Sequence, residues 1–431
     1  MELNNINNRR NFLKTAAVAM PALLSAQQRN DAVRVALIGC GGRGTWDAKQ
    51  FLSANNTEVV AICDPDQTQM AKFQKHVPGK RETYGDFRRM LERKDIDAVI
   101  VATPDHWHVI PAMWAIRAGK DVYMEKPVGH TIEEGLALAR LEREHDRIVQ
   151  IGLQQRSGPL FQEVRKIVQS GQIGKVSHVH CLNGWNVVAD PQGSRGKPIG
   201  NPPDSDPPPG VDYDMWLGPA PKRPFNPNRF HWNYIYFWDY SGGMILGWGV
   251  HLIDTAMWVM NAKGPLDAAI AGGKYVFDDM RDTPDTSECV WSFPDFMMTY
   301  SCTHGTAFPS GGRRVDHGIQ FLGSEATLIV DRAGYQIIPE KEKGEPIVSP
   351  AGLKDGDTIH QHLFVDSVRT RKPAVVGSLE GYRTTLPLHL ANIAYRTRST
   401  VCWDPETDKI ADNPKATALL KKNYRAPWSL S

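Results

Sequence analysis

Cysteine is scarce in this sequence and never clustered. The chain has six cysteines in 431 residues, with no C-x-x-C pair and no grouping at metal-ligand spacing. This distribution argues against a zinc site and against a disulfide scaffold, so we predict structural thiols and no bound metal. The six are Cys40, Cys63, Cys181, Cys289, Cys302 and Cys402.

The chain also lacks a charge excess and a long apolar run. Its 50 basic and 48 acidic residues form no basic stripe, which argues against nucleic acid or an anionic membrane as a partner. We therefore expect a small-molecule partner. Beyond the N-terminal segment no uninterrupted apolar run reaches about 18 residues, so the mature protein is predicted to be soluble, with no membrane segment. The length predicts about two domains.

The N-terminal segment has the pattern of an export signal. Arg9 to Lys14 form an R-R-x-F-L-K run, and the apolar stretch Thr15 to Leu24 is too short for a permanent membrane helix. The run resembles the twin-arginine signals of bacterial export, so we expect a periplasmic or otherwise exported protein. We place the last removed residue at Ala26. The alternative is a basic N-terminus that merely contains two arginines.

After a signal segment at 1–30, residues 31–151 alternate short apolar runs with amphipathic segments. This alternation is typical of a parallel sheet flanked by helices, and we predict an α/β doubly wound domain. The predicted strands are Val33 to Ile38, Glu58 to Cys63, Asp97 to Ala102, Asp121 to Met124 and Ile148 to Ile151. The predicted helices are Thr45 to Ala54, Phe87 to Arg93, His108 to Ala118 and Ile132 to Asp146.

Residues 152–431 have a different character. After one helix-like segment, Pro159 to Ser170, runs with strand spacing follow one another without intervening helices. This order favours an α+β domain with an antiparallel or mixed sheet. The predicted strands are Val176 to Leu182, Ala268 to Val276, Ser287 to Phe293, Phe296 to Cys302, Ile319 to Phe321 and Thr327 to Val330.

Two segments of this second part have unusual composition. Residues 201–210 contain five prolines in ten positions and are predicted to be a loop. Residues 230–240 contain seven aromatics in eleven positions. That density fits either a core or subunit interface, or a wall on which a sugar stacks.

A glycine-rich loop follows the first predicted strand directly. It consists of Gly39, Cys40, Gly41, Gly42, Arg43 and Gly44, a G-x-G-x-x-G pattern. The glycines allow a sharp turn and close approach of the backbone to a pyrophosphate, which lies at a helix N-terminus. Asp64 follows about 20 residues later, where an acid bonds the adenosine ribose and repels a 2′-phosphate. Together these features predict NAD as the cofactor, with NADP less favoured.

The ends of the next two strands carry further polar residues. We predict that Thr103, Pro104 and His108 cap and pack around the nicotinamide, because ligands bind at this edge of a doubly wound sheet. Further along, Glu125 and Lys126 precede a proline, which restrains the lysine to extended geometry. The Lys126 ammonium is therefore placed to lower the pKa of a substrate hydroxyl, although a surface Lys-Pro turn has the same sequence.

A second set of reactive residues lies within 241–254. Gly247 and Gly249 allow the backbone to approach a ligand, and His251 and Asp254 stand three apart on one face of a predicted helix. Histidine has a pKa near neutrality, so His251 can accept a hydroxyl proton as hydride leaves the same carbon. The alternative is a hydrogen-bonded core histidine.

These motifs occur together and in order, with Phe321 to Ala326 as the last of them. Together they resemble the Gfo/Idh/MocA oxidoreductases, the family of glucose-fructose oxidoreductase and inositol dehydrogenase, from about Val33 to Trp428. The resemblance implies an α/β Rossmann domain followed by an α+β domain with an open, largely antiparallel sheet. It also implies a homo-dimer or homo-tetramer built through that sheet and a tightly held nicotinamide cofactor.

The resemblance further implies roles for single residues. Lys126 would contact the reacting hydroxyl and share a cis bond with Pro127, His251 would be the general acid/base, and Asp254 would orient the substrate or that histidine. The family layout places substrate contacts at Gln155, Arg156, His178, Asn183, Trp185, Tyr236 and His251, with a structural role as the alternative for most of these.

One position departs from the family pattern. Many members carry an aspartate four residues before the histidine, and here that position is Gly247. Either another acid such as Asp239 replaces it, or a simpler relay operates, or the ordinary dehydrogenation is altered.

Three functions follow from these features. The leading hypothesis is an exported NAD-dependent oxidoreductase acting on a hydroxyl of a sugar or sugar derivative, with a cofactor that is loaded inside the cell and recycled in place. The alternative is a redox-neutral enzyme that cleaves or epimerises a glycoside and returns the hydride. A non-catalytic, NAD-holding partner protein is the third.

Overall fold

The computed structural model describes residues 32–54, 56–188, 198–310, 313–341, 345–350 and 356–431. The predicted export signal at 1–30, with Ala26 near its end, lies outside the described residues. Within the described ranges, no helix is both long enough and apolar enough to cross a membrane.

A six-stranded parallel sheet forms the centre of the first domain. Its strands are β1 Val33–Ile38, β2 Thr57–Cys63, β3 Glu82–Tyr84, β4 Ala98–Val101, β5 Asp121–Met124 and β6 Val149–Ile151. Their order in the sheet is β3-β2-β1-β4-β5-β6, and every pairing is parallel. The inner strands β4 and β5 are buried throughout because helices cover both faces, and apart from Asp121 at the start of β5 their residues are apolar or aromatic.

Five helices connect these strands. They are α1 Gly42–Ser53, α2 Gln67–His76, α3 Phe87–Leu91, α4 Val109–Arg117 and α5 Ile132–His145. The side chains of Asp66, Asp86 and Thr131 cap α2, α3 and α5 by accepting backbone amide hydrogens. The predicted doubly wound domain is confirmed. Sequence periodicity does not predict α2, since Phe73 is its one buried side chain.

The strand order reverses between β1 and β4, which opens a crevice at their carboxyl ends. The glycine loop fills the turn from β1 into α1. Gly39 has a φ of +96°, a conformation that L side chains rarely adopt. A Cβ on Gly44 would lie 1.9 Å from the carbonyl oxygen of Gly39, so glycine at this position allows α1 to pack directly on the loop.

A ten-stranded sheet forms the second domain. Its strands are β7 Val176–Gly184, β8 Asp267–Gly273, β9 Thr286–Ser292, β10 Met297–Thr303, β13 His317–Gly323, β14 Ala326–Asp331, β15 Gly334–Pro339, β16 Ile347–Val348, β17 Val401–Asp404 and β18 Lys409–Ile410. Their order is β16-β15-β14-β13-β7-β10-β9-β8-β17-β18. β7 and β10 pair in parallel and the other described pairs are antiparallel, as predicted. A separate ribbon joins β11 Phe308–Ser310 to β12 Arg313–Val315.

Helices pack on one face of this sheet and leave the other face open. The helices of this part are α6 Pro159–Gln169, α7 Tyr213–Leu217, α8 Gly243–Gly247, α9 Gly249–Val259, α10 Asp357–Thr370, α11 Ser378–Thr397 and α12 Pro414–Thr417. α9 packs on β7, and α11 packs on β8 and β9. The predicted proline-rich loop at 201–210 contains no helix and only one isolated bridge residue, Ser205.

Two long helices, α10 and α11, had not been predicted as elements within the α+β domain. α11 is buried over most of its length, so its sequence lacks the amphipathic period that would have revealed it. α10 returns to the first domain, where Phe364 contacts the rings of Phe51 and Tyr123 edge-on. α10 therefore contributes Phe364 and Val365 to the core of the first domain.

The two glycines at the start of α1 lead to a paired prediction. Gly44→Ala should lower the free energy of unfolding by about 1–3 kcal/mol, because the new methyl group meets backbone that cannot move away. Gly42→Ala should leave stability within about 0.5 kcal/mol, since a Cβ there has no described atom within 4 Å. Chemical denaturation of the two variants checks this. Equal losses at both positions would contradict the packing role of Gly44.

Candidate active site

A cleft of about 760 Å³ opens at the carboxyl ends of β1, β2, β4 and β5, where the two domains meet. Its size is ordinary for a small-molecule site. Residues from both domains form its walls. The predicted site residues on these walls are Gly39, Gly41, Gly42, Arg43, Asp64, Thr103, Pro104, His108, Glu125, Lys126, Trp185 and His251.

The floor of the cleft is bare backbone. A Cβ on Gly41 or Gly42 would have no neighbour among the described residues within 4 Å, so both glycines leave open space. They begin α1, whose first amides have no acceptors within the helix and whose dipole favours an anion. Gly44, also predicted to bind the cofactor, lies behind the loop and acts through packing. These residues fit the pyrophosphate of a dinucleotide.

Asp64 fixes the loop beside this floor. One carboxylate oxygen accepts the backbone amide of Cys40 at 2.7 Å, and the other accepts that of Asp66 at 2.9 Å. Burial raises the pKa of Asp64 to about 6, although both amides oppose that shift. The carboxylate thus ties the glycine loop to the end of β2, where a ribose would lie in a Rossmann domain.

Arg43 and Glu125 hold the opposite wall together. The guanidinium of Arg43 lies 2.8 Å from the carboxylate of Glu125 and 3.1 Å from that of Asp47. His108 is also held in place by two contacts. Its Nδ1 lies 2.8 Å from the carbonyl oxygen of Pro127, and its Nε2 lies 2.8 Å from that of Thr103. These contacts make both residues supports of the wall.

Lys126 and His251 come from different domains and share one end of the cleft. Lys126 Nζ donates to the carbonyl oxygen of Gly247 at 3.0 Å, and its bond to Pro127 is cis. Burial lowers the pKa of Lys126, with Glu125 opposing. Burial also lowers the pKa of His251 well below its usual value, and the nearby Lys126 charge lowers it further. His251 is therefore neutral at physiological pH and can accept a proton.

Gly247, at the position of the family aspartate, packs against Ile235. A Cβ at this position would lie 2.3 Å from Cδ1 of Ile235, so a side chain there would require the isoleucine to shift. Asp239 does not replace it, because Asp239 pairs with Arg223 and lies away from the cleft wall. The acids on the cleft wall whose charge acts on Lys126 are Glu125 and Asp105.

Asp105 comes from the loop after β4 and is bonded to residues of the second domain. Its carboxylate accepts the hydroxyl of Tyr234 at 2.8 Å and that of Ser241. Its charge also favours the protonated form of Lys126. Asp105 thus supplies negative charge to this end of the cleft without occupying the position of the family aspartate.

Asp254 and Arg156 form a buried ion pair away from the cleft wall. The guanidinium of Arg156 donates two hydrogen bonds to Oδ1 of Asp254, at 2.6 and 3.0 Å, and both side chains are buried. Neither lies on the cleft wall. The two charges neutralise each other, and the predicted roles of Asp254, orienting the substrate or His251, and of Arg156, contacting the substrate, stay predictions. Gln155 also lies off the wall, bonded to Thr255.

Three more predicted substrate contacts lie away from the cleft. His178 lies on the open face of the sheet, 2.9 Å from the hydroxyl of Thr299. Asn183 is buried and donates to the sulfur of Cys302. Tyr236 is buried beneath the guanidinium of Arg281. Family layout places these residues in roughly the right elements, but the direction of each side chain takes it elsewhere.

An aromatic wall faces the reactive residues. The indole rings of Trp185 and Trp248 lie 4.9 Å apart, and the Trp248 ring lies 5.0 Å from that of His251. The guanidinium of Arg332 stacks 4.9 Å from the Trp248 ring. Sequence reasoning missed Trp248 and Arg332, although the G-W-G run before His251 was a signal for the tryptophan.

The aromatic segment 230–240 is divided between the cleft wall and the core. Trp232 and Tyr234 lie on the cleft wall, and Trp232 remains 55% exposed. Phe237 and Tyr240 are buried in the core. One segment therefore contributes side chains to the site and to the packing behind it.

The pKa of Asp64 leads to a pH prediction for cofactor-free protein. Deprotonated Asp64 accepts the ribose hydroxyls, so NAD affinity should rise as the pH increases from about 5 to about 7.5. Asp64→Asn should flatten this dependence and reduce the preference for NAD over NADP by about tenfold or more. Titration calorimetry with each dinucleotide measures both effects. An unchanged pH profile in the variant would assign the dependence to another group.

Known proteins resemble this chain over part of its length. Inositol 2-dehydrogenase 2 of Saccharopolyspora erythraea is 30% identical over 153 residues, which are 35% of this chain and 45% of that protein. A glycosyl hydrolase family 109 protein of Shewanella pealeana is 31% identical over 162 residues, which are 30% of this chain and 35% of that protein. The alignments thus span less than half of these curated relatives.

Solved structures share the fold over most of the chain. Scyllo-inositol dehydrogenase from Lactobacillus casei, with bound NAD(H) and scyllo-inositol, superposes with a TM-score of 0.63 at 16% identity and covers 86% of this chain and 99% of its own. Levoglucosan dehydrogenase with NADH and L-sorbose superposes with a TM-score of 0.66 at 16% identity. The match covers 86% of this chain and 98% of the levoglucosan dehydrogenase chain. At these identities the likeness shows the fold alone.

Family models account for both domains. The oxidoreductase family's NAD-binding Rossmann fold matches residues 33–153, and its C-terminal alpha/beta domain matches residues 158–430. The Rossmann match includes the glycine loop and Asp64, which were predicted to bind NAD, and the cofactor is therefore NAD. With both domains matched in order, the chain belongs to the Gfo/Idh/MocA oxidoreductase family.

Proposed function

We propose that this protein is an NAD-dependent oxidoreductase that acts on a hydroxyl group of a sugar or sugar derivative. One observation carries the proposal: a neutral imidazole and a buried ammonium, from different domains, meet at one end of a dinucleotide cleft beside an aromatic wall. Such a wall suits the apolar face of a sugar ring. Inositol, levoglucosan and sorbose, in the names of similar proteins, belong to the same polyol class.

The side chains divide the chemistry between them. His251 accepts the proton of the substrate hydroxyl, because its lowered pKa leaves the imidazole neutral. Lys126, held by the carbonyl of Gly247, stabilises the oxyanion that develops on the same oxygen. NAD, when bound, takes up the hydride from the carbon. The aromatic wall excludes water from this end of the cleft.

Export and assembly complete the proposal. The R-R-x-F-L-K run supports a periplasmic or otherwise exported protein that leaves the cell with NAD bound. Because free NAD is scarce outside the cytoplasm, the reduced cofactor would be recycled within the site by a second carbonyl substrate or by returning its hydride. The open face of the ten-stranded sheet supports a homo-dimer or homo-tetramer.

A redox-neutral reaction is the second candidate. It is favoured by the relatives called glycosyl hydrolase family 109 proteins, which match this chain as well as the inositol dehydrogenases do. Oxidation of a sugar carbon acidifies the neighbouring C–H group, and elimination then expels the aglycone as an alcohol. Water adds to the resulting double bond, and return of the hydride leaves no net oxidation. Such an enzyme cleaves or epimerises a glycoside without consuming an acceptor.

Product analysis separates the two reactions. The mature, NAD-loaded protein is incubated with a panel of free sugars and glycosides without an added acceptor, while absorbance of bound reduced cofactor is followed and products are identified by mass. If the protein is an oxidoreductase, each active site should oxidise at most about one molecule of sugar, and the bound cofactor should then remain reduced. Continued release of a free sugar or an epimer would establish the redox-neutral reaction instead.

Substitution of the two reactive side chains tests the assignment of roles. His251→Ala should lower kcat by about 10²–10⁴-fold, and Lys126→Met by about 10²–10³-fold, with NAD retained in both. His145→Ala, at an exposed helix end, is the matched control and should leave kcat unchanged. Kinetics on NAD-loaded protein give the comparison. If the unsubstituted protein turns over none of the sugars, the result would favour the third hypothesis, that this is a non-catalytic, NAD-holding partner protein.

A further inference from the structure

A segment of the second domain crosses the cleft and binds the first domain beside Asp64. We call residues 208–236 the crossing segment. Its contacts are with the loop that follows β2. The backbone contacts are a 3.0 Å hydrogen bond from the Gln67 amide to the Gly210 carbonyl, a 2.9 Å hydrogen bond from the Asp212 amide to the Pro65 carbonyl, and a bridge between Asp66 and Val211.

His231 adds a side-chain contact to the same loop. Its Nε2 lies 2.9 Å from Oδ2 of Asp66 and 3.4 Å from the side-chain nitrogen of Gln69. The amide of Asp66 in turn donates to Asp64. His231 therefore connects, through Asp66, to the carboxylate that faces the ribose position.

The backbone of His231 is held in an unusual conformation. Its φ is +50°, a left-handed geometry that is uncommon for a residue other than glycine. This geometry begins the 3₁₀ turn His231–Tyr236, which carries Trp232 and Tyr234 on the cleft wall. Such strain persists where surrounding contacts enforce it, and it clusters at ligand clamps and switch regions.

His231 lines the cleft, and so do Asp64, Pro65 and Gln69, which flank its partner Asp66. Asp64, Pro65 and Gln69 form one side of the cleft's adenosine end, and His231 and Trp232 form the other. The passage between them is therefore bounded by a contact that joins two domains.

We propose that the crossing segment is a latch over the adenosine end of the NAD cleft, and that the contact between His231 and Asp66 must open for the cofactor to exchange. His231 is a positioning residue in this scheme and takes no part in the chemistry. The latch supplies a physical means of retaining the cofactor in the proposed function. It depends on NAD binding and not on which sugar is oxidised.

Exchange rates test the latch without reference to turnover. Bound NADH is displaced by excess NAD⁺ while the fluorescence of bound nucleotide is followed, and association is measured by mixing NADH with cofactor-free protein. His231→Ala should raise the dissociation rate about tenfold, the effect of one hydrogen bond to a charged group. It should also raise the association rate, because a latch obstructs both directions.

The controls separate a latch from a simple binding contact. His231→Gln keeps a donor for Asp66 and should hold both rates within about twofold of those of the unsubstituted protein. Asp214→Ala breaks an exposed pair with Arg425 on the crossing segment and should change neither rate. A rise in dissociation alone after His231→Ala, or no rise at all, would overturn the proposal.

A covalent lock offers an independent test. A Cβ at position 210 would lie 3.5 Å from that of Gln67, within the range of native disulfides. In the double variant Gln67→Cys, Gly210→Cys, oxidation should slow NADH exchange at least about tenfold, and reduction should restore it. Both redox forms carry the Gly210 substitution, so any strain that it causes affects both exchange rates and does not account for a difference between them. Equal exchange in both forms would exclude the latch, whether or not the protein oxidises a sugar.

Discussion

The hydrogen bond from Lys126 Nζ to the carbonyl oxygen of Gly247 joins the two domains at the point where their reactive side chains meet. Lys126 follows β5 of the first domain, and Gly247 ends α8 of the second. His251 lies one helical turn beyond Gly247 on α9, so the contact sets the distance between ammonium and imidazole. Ile235 packs beside Gly247, and the backbone carbonyl of this glycine accepts the hydrogen bond of the lysine.

This arrangement has an electrostatic consequence. A carboxylate beside Lys126 and His251 would raise the pKa of both groups. Burial instead lowers the pKa of each, and the charge of Lys126 lowers that of His251 further. The imidazole is therefore kept neutral as a proton acceptor. Glu125 and Asp105 keep compensating negative charge nearby, the former paired with Arg43 and the latter bonded to hydroxyl groups.

Much of the first domain could be read from the sequence because its signals are local. A buried parallel strand is a continuous apolar run, and the dinucleotide loop needs glycine at fixed spacing before a helix. Asp64 follows at the interval that such a domain requires. The α2 and β3 elements gave no comparable signal, since few of their side chains are buried. α11 was hidden for the opposite reason, because burial on most sides removes its amphipathic period.

The sequence alone determined the family, the cofactor and the two reactive side chains on the cleft wall, because each depends on residues that are close together along the chain. Only the tertiary structure decided which of the remaining candidates face the cleft. Arg156 and Asp254, almost a hundred residues apart, neutralise each other beneath it, while His178 points to the open face of the sheet. Trp248, Arg332 and His231 reach the wall from three different elements. Side-chain direction and long-range pairing carry no local signal, since both arise from the packing of one domain on the other.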